Sequence, residues 1–209
     1  MAEPSLTKRR LLGLDRSGSP PSPTLSGQPL NPWTLPNLVG LIRLSLIPVF
    51  VALAFTSTDG QSTLAAITYA LVGGADYLDG MVARLSGQYS RLGALLDPLT
   101  DRLLVICGVA VTWHFDLLPR VALAILIARE LLVLAATRVG MKRGLELRIN
   151  MLGRWAVWPT MLSIFLAMLV SSWLVSALLW LGVGMTLAAT VLYVRDGVAE
   201  LSSRGGASR

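Results

Sequence analysis

The chain has 209 residues, 54% of them hydrophobic and only 14% charged, with a mean hydropathy of +0.64. A soluble globular domain carries about 25% charged residues, so this composition excludes a soluble enzyme, a disordered protein and a secreted disulfide scaffold, and it describes an integral membrane protein. Eighteen Lys and Arg against 12 Asp and Glu leave a net charge of +6. With no nucleic-acid motif and no aromatic–basic alternation, that charge reports membrane orientation and anionic partners, and no nucleic acid.

Residues 1–32 open with Lys8, Arg9 and Arg10 and continue through GSPPSPTLSGQPLNP. Such Pro/Ser/Gly density cannot bury a core and predicts a disordered, basic cytoplasmic tail. The apolar stretch after Arg10 is only LLGL, too short for a signal peptide. From Trp33 the composition changes. A bilayer span needs about 20 apolar residues, and six are predicted, at roughly 36–56, 61–82, 92–113, 118–139, 150–170 and 173–194. The second and third each carry two aspartates, and the fourth carries Arg129–Glu130. The single cysteine, Cys107, lies in an apolar run with no internal partner. No internal repeat is present.

Nearly all extramembrane Lys and Arg fall in the N-terminal tail, the 85–91 loop, the 141–150 loop and the C-terminal tail, while the alternate loops hold only Arg120. The positive-inside bias puts both termini and those two loops in the cytoplasm. The expected architecture is all-α and polytopic: a six-helix membrane domain over 33–195 and a flexible cytoplasmic tail over 196–209.

The chemistry is concentrated in DYLDGMVARLSGQYSRLGALLDPLTD, from Asp76 to Asp101. Spacings of three and four residues put side chains on one helix face. Asp76, Asp79, Gly80, Ala83 and Arg84 therefore form one stripe, and Gly93, Asp97 and Asp101 another. The residues from Leu85 to Leu92 let the two helices turn back, so that four carboxylates converge near the cytoplasmic ends of their spans. Each ionised carboxylate within a span costs roughly 2.5–3.5 kcal/mol. A hard divalent cation such as Mg²⁺, Mn²⁺ or Ca²⁺ offsets that cost, and the lack of nearby His or Cys argues against zinc. Gly80, Ala83 and Gly93 leave room for close approach to the backbone, and Arg84 offers a planar donor suited to phosphate. Taken singly, each small residue reads as helix packing, and one aspartate as an ion-pair partner of Arg84 or Arg91. Four aspartates at these spacings do not.

The pattern D-x₂-D-G-x₂-A-R-x₈-G-x₃-D-x₃-D, matched at Asp76, Asp79, Gly80, Ala83, Arg84, Gly93, Asp97 and Asp101, resembles the signature of the CDP-alcohol phosphatidyltransferase family. The resemblance extends over about residues 33–195, through NLVGLIRLSLIPVF before the motif and IARELLVLAATR after it. Within the family it points to the bacterial phosphatidylglycerophosphate synthases and the related actinobacterial cardiolipin synthases. It implies a multi-pass enzyme of the cell membrane, typically homodimeric, with its active site facing the cytoplasm. Such an enzyme transfers a phosphatidyl group from CDP-diacylglycerol to an alcohol and releases CMP. By the same resemblance, Asp76, Asp79, Asp97 and Asp101 hold Mg²⁺ or Mn²⁺, and Asp101 is also the general base. Asp76, Asp79, Gly80, Ala83, Arg84 and Gly93 bind the CDP moiety, and Pro98 kinks the third span.

Asn37 and Arg43 on the first span are candidates for the donor pocket. Arg43 reads equally as a snorkelling residue or as an ion-pair partner of a motif aspartate. His114, the only histidine, lies at the external end of the third span and reads as interfacial. Trp155, Trp158, Trp173 and Trp180 read as interfacial or packing residues.

The acceptor decides which reaction is run. Glycerol 3-phosphate, the first choice on overall resemblance, carries a phosphate monoester and needs cations, for which Arg129, Arg148 and Arg154 are the candidates. Arg129 also reads as an ion-pair partner of Glu130 or a motif aspartate, and Lys142 and Arg143 as ordinary positive-inside charges. Relatives that use glycerophosphate often open the fifth span with G-K-x-K-T, where this chain has Gly153-Arg154-Trp155-Ala156-Val157. Loss of the second cation makes phosphatidylglycerol, and hence cardiolipin, the competing acceptor and product. A cation transporter or a non-catalytic lipid-binding protein are the readings from other classes. Against transport, all four aspartates lie toward one side of the membrane, and Arg84 and Arg129 repel a permeating cation.

Overall fold

The computed structural model describes residues 22–25, 27–142 and 151–206. Among them lie six α-helices and no strand, in accord with the all-α expectation: Leu35–Phe55 (α1), Thr63–Ser86 (α2), Arg91–His114 (α3), Arg120–Lys142 (α4), Met151–Ala167 (α5) and Trp173–Gly206 (α6), preceded by a 3₁₀ turn at Ser22–Thr24. At 1.5 Å per residue, the 21 residues of α1 extend about 32 Å, enough for a hydrocarbon core of about 30 Å. By length and composition, two helices among the described residues are apolar enough to cross a membrane, α1 and the Trp173–Leu192 part of α6. The second to fourth helices carry the charges noted above, which dilute their apolar character.

The helices divide into two compact units. One takes the chain up to Ser57 together with Ser62–Gly108, and the other takes Thr58–Gln61 and the chain from Val109 onward. In the first unit α1 begins after Thr34, whose hydroxyl accepts the Asn37 N–H at 3.4 Å, with Pro36 in the first turn where a missing N–H costs nothing. One face of α1, Asn37, Gly40, Arg43, Ile47, Phe50 and Ala54, is buried at helical spacing and packs on α2. The Phe50 and Tyr69 rings meet there with centroids 5.3 Å apart. Helix α2 starts at Ser62, which caps the Ala65 N–H, and ends at Gly87 with φ 64°, a left-handed conformation that glycine adopts without strain. The expected 85–91 loop is thereby a four-residue turn, Gly87 to Ser90.

The two tail expectations fall partly on residues 1–21, 26 and 207–209, which lie outside the described residues. In residues 27–32, within the segment expected to be disordered, the backbone carbonyls of Gln28, Leu30, Asn31 and Pro32 all accept hydrogen bonds from the first unit. Asn31 turns the chain there at φ 42°, a region in which asparagine is enriched. At the other end, the tail expected to be flexible over 196–209 is helical as far as Gly206. No glycine pair or proline interrupts Val198-Ala199-Glu200-Leu201, and these are mostly good helix formers.

In the second unit α5 and α6 form a close hairpin and α4 packs on α6. The approach depends on Gly182, where a Cβ would sit 3.0 Å from the Thr160 backbone nitrogen and 3.3 Å from its Cα. Those are backbone atoms that cannot swing aside. Gly182→Ala is therefore expected to destabilise the hairpin by about 1–3 kcal/mol, the usual cost of overpacking. Thermal unfolding of the purified variant checks this, and an unchanged midpoint contradicts it.

Candidate active site

Asp76, Asp79, Gly80, Ala83 and Arg84 stand on α2, and Gly93, Asp97 and Asp101 on α3, so the two halves of the motif lie on consecutive helices joined by four residues. The two halves are joined through α1. Arg43, only 1% exposed, reaches the Asp76 carboxylate with Nη1 at 3.4 Å and the Asp101 carboxylate with Nη2 at 2.9 Å. Its Nε donates to the Val72 carbonyl at 3.0 Å. A guanidinium presents its donors in a rigid fork, so one side chain can serve three acceptors on two helices, which an ammonium cannot do in the same geometry. Arg43 is thus the ion-pair partner of motif aspartates and does not snorkel.

Asp76 and Asp101 keep 46% and 51% of their side-chain surface exposed while touching this buried cation. Asp97 is half-buried on α3, and Asp79 is on α2 with its side chain outside the described residues. Pro98 is accommodated inside α3 and does not end the helix. Arg84 and Ala83 are half-buried. The Arg84 guanidinium folds back over Gly80, where a Cβ would lie 3.3 Å from Nη1. The room that Gly80 leaves is therefore shared with Arg84.

Gly93 lies against α1. A Cβ there would lie 2.8 Å from Asn37 Oδ1 and 3.2 Å from Ser90 Oγ, so the missing side chain makes room for the buried Asn37 amide. That amide is itself fully engaged. Its nitrogen donates to the carbonyls of Asn31 at 2.9 Å and Pro32 at 3.1 Å, and its oxygen accepts from the Ser90 hydroxyl at 2.6 Å. Asn37 was a candidate for the donor pocket, and its polar atoms are turned instead to the fold. Ser90 was not singled out in the sequence, because a lone serine in a turn carries no spacing signal.

In the second unit Arg129 donates from Nε to Thr190 Oγ1 at 3.0 Å and pairs through Nη1 with Glu130. Arg154 is on the first turn of α5 with its side chain outside the described residues, and Arg148 lies outside them altogether. Ala156 is fully buried and Val157 is 42% exposed. His114 ends α3 and packs edge-on against Phe115 at 4.8 Å.

Residues 33–190 match the model of one protein family, described as CDP-alcohol phosphatidyltransferase. The chain belongs to the CDP-alcohol phosphatidyltransferase family. It is similar to a Streptomyces coelicolor protein named cardiolipin synthase (CMP-forming), at 34% identity over 172 residues covering 79% of this chain and 80% of that one. It is also similar to a Bacillus subtilis protein named CDP-diacylglycerol–glycerol-3-phosphate 3-phosphatidyltransferase, at 29% identity over 63% of this chain and 75% of that one. A human cardiolipin synthase (CMP-forming) is 38% identical over 108 residues, 51% of this chain and 35% of the human protein, so the match spans about a third of that relative's length.

As a CDP-alcohol phosphatidyltransferase the protein is a transferase of phospholipid synthesis, and enzymes of this family generally use divalent cations. Among the described residues no group of three or more His, Cys, Asp or Glu is gathered closely enough to hold a metal ion. Instead, Arg43 sits between two of the motif carboxylates. The donor set nevertheless fits a hard cation. Every side-chain donor the motif offers is a carboxylate oxygen, and Asp76 and Asp101 remain half in solvent.

Proposed function

We propose that this enzyme transfers the phosphatidyl group of CDP-diacylglycerol to a hydroxyl of phosphatidylglycerol, forming cardiolipin and releasing CMP. The observation that carries the acceptor is Ala156. Where relatives using glycerophosphate carry a second cation in G-K-x-K-T, this chain has a fully buried alanine followed by Val157. The ion pair that Arg129 makes with Glu130 points the same way, because a dianionic monoester needs cations not already compensated. Phosphatidylglycerol has its phosphate in a diester and asks for less positive charge. The name of the Streptomyces coelicolor relative agrees with this reading. Glycerol 3-phosphate is the second reading, supported by the name of the Bacillus subtilis relative and by the presence of Arg129 and Arg154.

In this mechanism Asp101 accepts the proton of the acceptor hydroxyl as its oxygen attacks the phosphatidyl phosphorus, and the bond from phosphorus to the CMP oxygen breaks. Arg43 holds Asp101 and Asp76 in register, and Arg84 meets the diphosphate as a planar donor. Gly80, Ala83 and the backbone near Gly93 bound the cytidine-nucleotide side. Asp76, Asp79, Asp97 and Asp101 would hold Mg²⁺ or Mn²⁺. When bound, the cation supplies Lewis-acid stabilisation of charge on the diphosphate. Six helices cross the cell membrane with the motif end and both termini cytoplasmic. Leu38, Leu41, Ile42 and Val49 of α1, each close to half exposed, suit contact with lipid. Acyl chains of both substrates then stay in the bilayer while their headgroups meet at its cytoplasmic face.

The test is to give purified protein CDP-diacylglycerol with phosphatidylglycerol or with glycerol 3-phosphate and to identify the lipid by mass spectrometry. Cardiolipin and CMP in equal amounts are expected with the first acceptor. Arg129→Ala and Arg154→Ala are then expected to leave cardiolipin synthesis within about threefold, whereas loss of a hydrogen bond to a charged monoester, about 1.5–3 kcal/mol, lowers glycerol 3-phosphate use by roughly 10- to 100-fold. Phosphatidylglycerophosphate as the only product overturns the acceptor assignment.

A further inference from the structure

The segment before α1 is tied across the turn that joins the two halves of the motif. Six hydrogen bonds make the tie. The Leu35 N–H donates to Gln88 Oε1 at 3.1 Å, the Leu92 N–H to the Leu30 carbonyl at 3.2 Å, and Arg91 Nη1 to the Gln28 carbonyl at 3.2 Å. The Asn37 amide, fully buried, binds the carbonyls of Asn31 and Pro32 on one side and the Ser90 hydroxyl on the other. Ser90 in turn caps α3, its hydroxyl accepting the Gly93 N–H at 2.9 Å and its carbonyl the Ala94 N–H at 3.3 Å.

We propose that Asn37 is a positioning residue for catalysis: through Ser90 it fixes the start of α3, and with it the register of Asp97 and Asp101 against the α2 half of the motif. The physical reason is leverage. A helix is rigid along its axis, so an N-terminus displaced by a fraction of an ångström carries Asp97 and Asp101, about two and three turns further on, by the same amount. A misplacement of about 1 Å at reacting groups costs up to about 100-fold in rate. Burial keeps the link rigid, because an amide removed from water holds its partners or leaves them unsatisfied. Gly93 belongs to the same device. Only a residue without a Cβ lets α3 approach the Asn37 amide this closely, and this gives the motif glycine a role in placing the helix.

The proposal rests on the reading of Asp97 and Asp101 as the residues that do chemistry, and the test separates the two. Asn37→Ala, Ser90→Ala, the double variant and Asp101→Asn are purified, the folded fraction is isolated by size exclusion, and kcat and KM for CDP-diacylglycerol are measured. Asn37→Ala and Ser90→Ala are each expected to lower kcat about 10- to 100-fold with KM changed less than about twofold. The double variant is expected to be no worse than the weaker single one, because both remove the same link. Ser90→Ala keeps the bonds from Asn37 to Asn31 and Pro32, so it carries the same criterion if Asn37→Ala does not fold. A folded variant with wild-type kcat overturns the proposal. So does a raised KM at constant kcat, which would make Asn37 a donor-binding residue. An inactive Asp101→Asn beside a fully active Asn37→Ala sinks the positioning role alone, and an active Asp101→Asn sinks the underlying reading as well.

Discussion

Asp101→Asn is expected to lower CMP release from CDP-diacylglycerol by about 10²- to 10⁴-fold, the range that a general base contributes, while the protein remains folded. The substitution keeps an oxygen of the same shape in place, so Arg43 Nη2, 2.9 Å from the carboxylate in the wild type, still finds an acceptor. What is lost is the capacity to take a proton and one negative charge. Asp97→Asn is expected to be comparably inactive through loss of a ligand charge. Chelation with EDTA should stop turnover and added Mg²⁺ or Mn²⁺ restore it. Circular dichroism and size exclusion report the fold, and CMP release reports the chemistry. Full activity in either variant, or indifference to EDTA, contradicts the proposed mechanism.

Arg43 separates charge from geometry. Arg43→Ala deprives the Asp76 and Asp101 carboxylates of their buried cation and the Val72 carbonyl of its side-chain donor. Breaking a fully buried pair costs about 3–5 kcal/mol. Here the two carboxylates are half exposed and water compensates them in part, so about 2 kcal/mol is the expected loss. Arg43→Lys restores the charge, yet one ammonium cannot reach all three acceptors along the same directions. It is expected to recover most of the stability and little of the activity, with transfer still down by about 10- to 100-fold. Thermal unfolding and turnover measured on the same preparations check both halves. A fully active Arg43→Lys would mean that charge alone suffices at this position.

Local chemistry made much of the architecture legible. Apolar runs at membrane-spanning length predicted all six helices, and the observed ends fall within a few residues for most of them. Helix α2 ends at a glycine and α1 begins with a Thr-x-Pro start, both of which are short-range signals. Apolar content does not mark the limit of regular structure at either end of the described chain. Residues 27–32 are polar and proline-rich, and their order comes from carbonyls that accept from Asn37, Arg91 and Leu92, partners remote in sequence or across a turn. The helix at the C-terminal end outruns its apolar segment because backbone hydrogen bonding does not require apolar side chains.

The motif was readable by spacing because carboxylates at intervals of three and four can share a helix face whatever the rest of the chain does. That property belongs to the sequence alone, as do the all-helical class and the family. What serves the motif was decided by tertiary structure. Arg43 could equally have snorkelled, and only the placement of α1 against α2 and the start of α3 puts its fork within reach of Asp76, Asp101 and the Val72 carbonyl. Asn37 and Gly93 are 56 residues apart, and nothing in either neighbourhood announces that the absent side chain of one accommodates the amide of the other. Helical period reports which side chains share a face, but it carries no information about what lies opposite, and opposition across helices is what sets the charge balance and the register of this site.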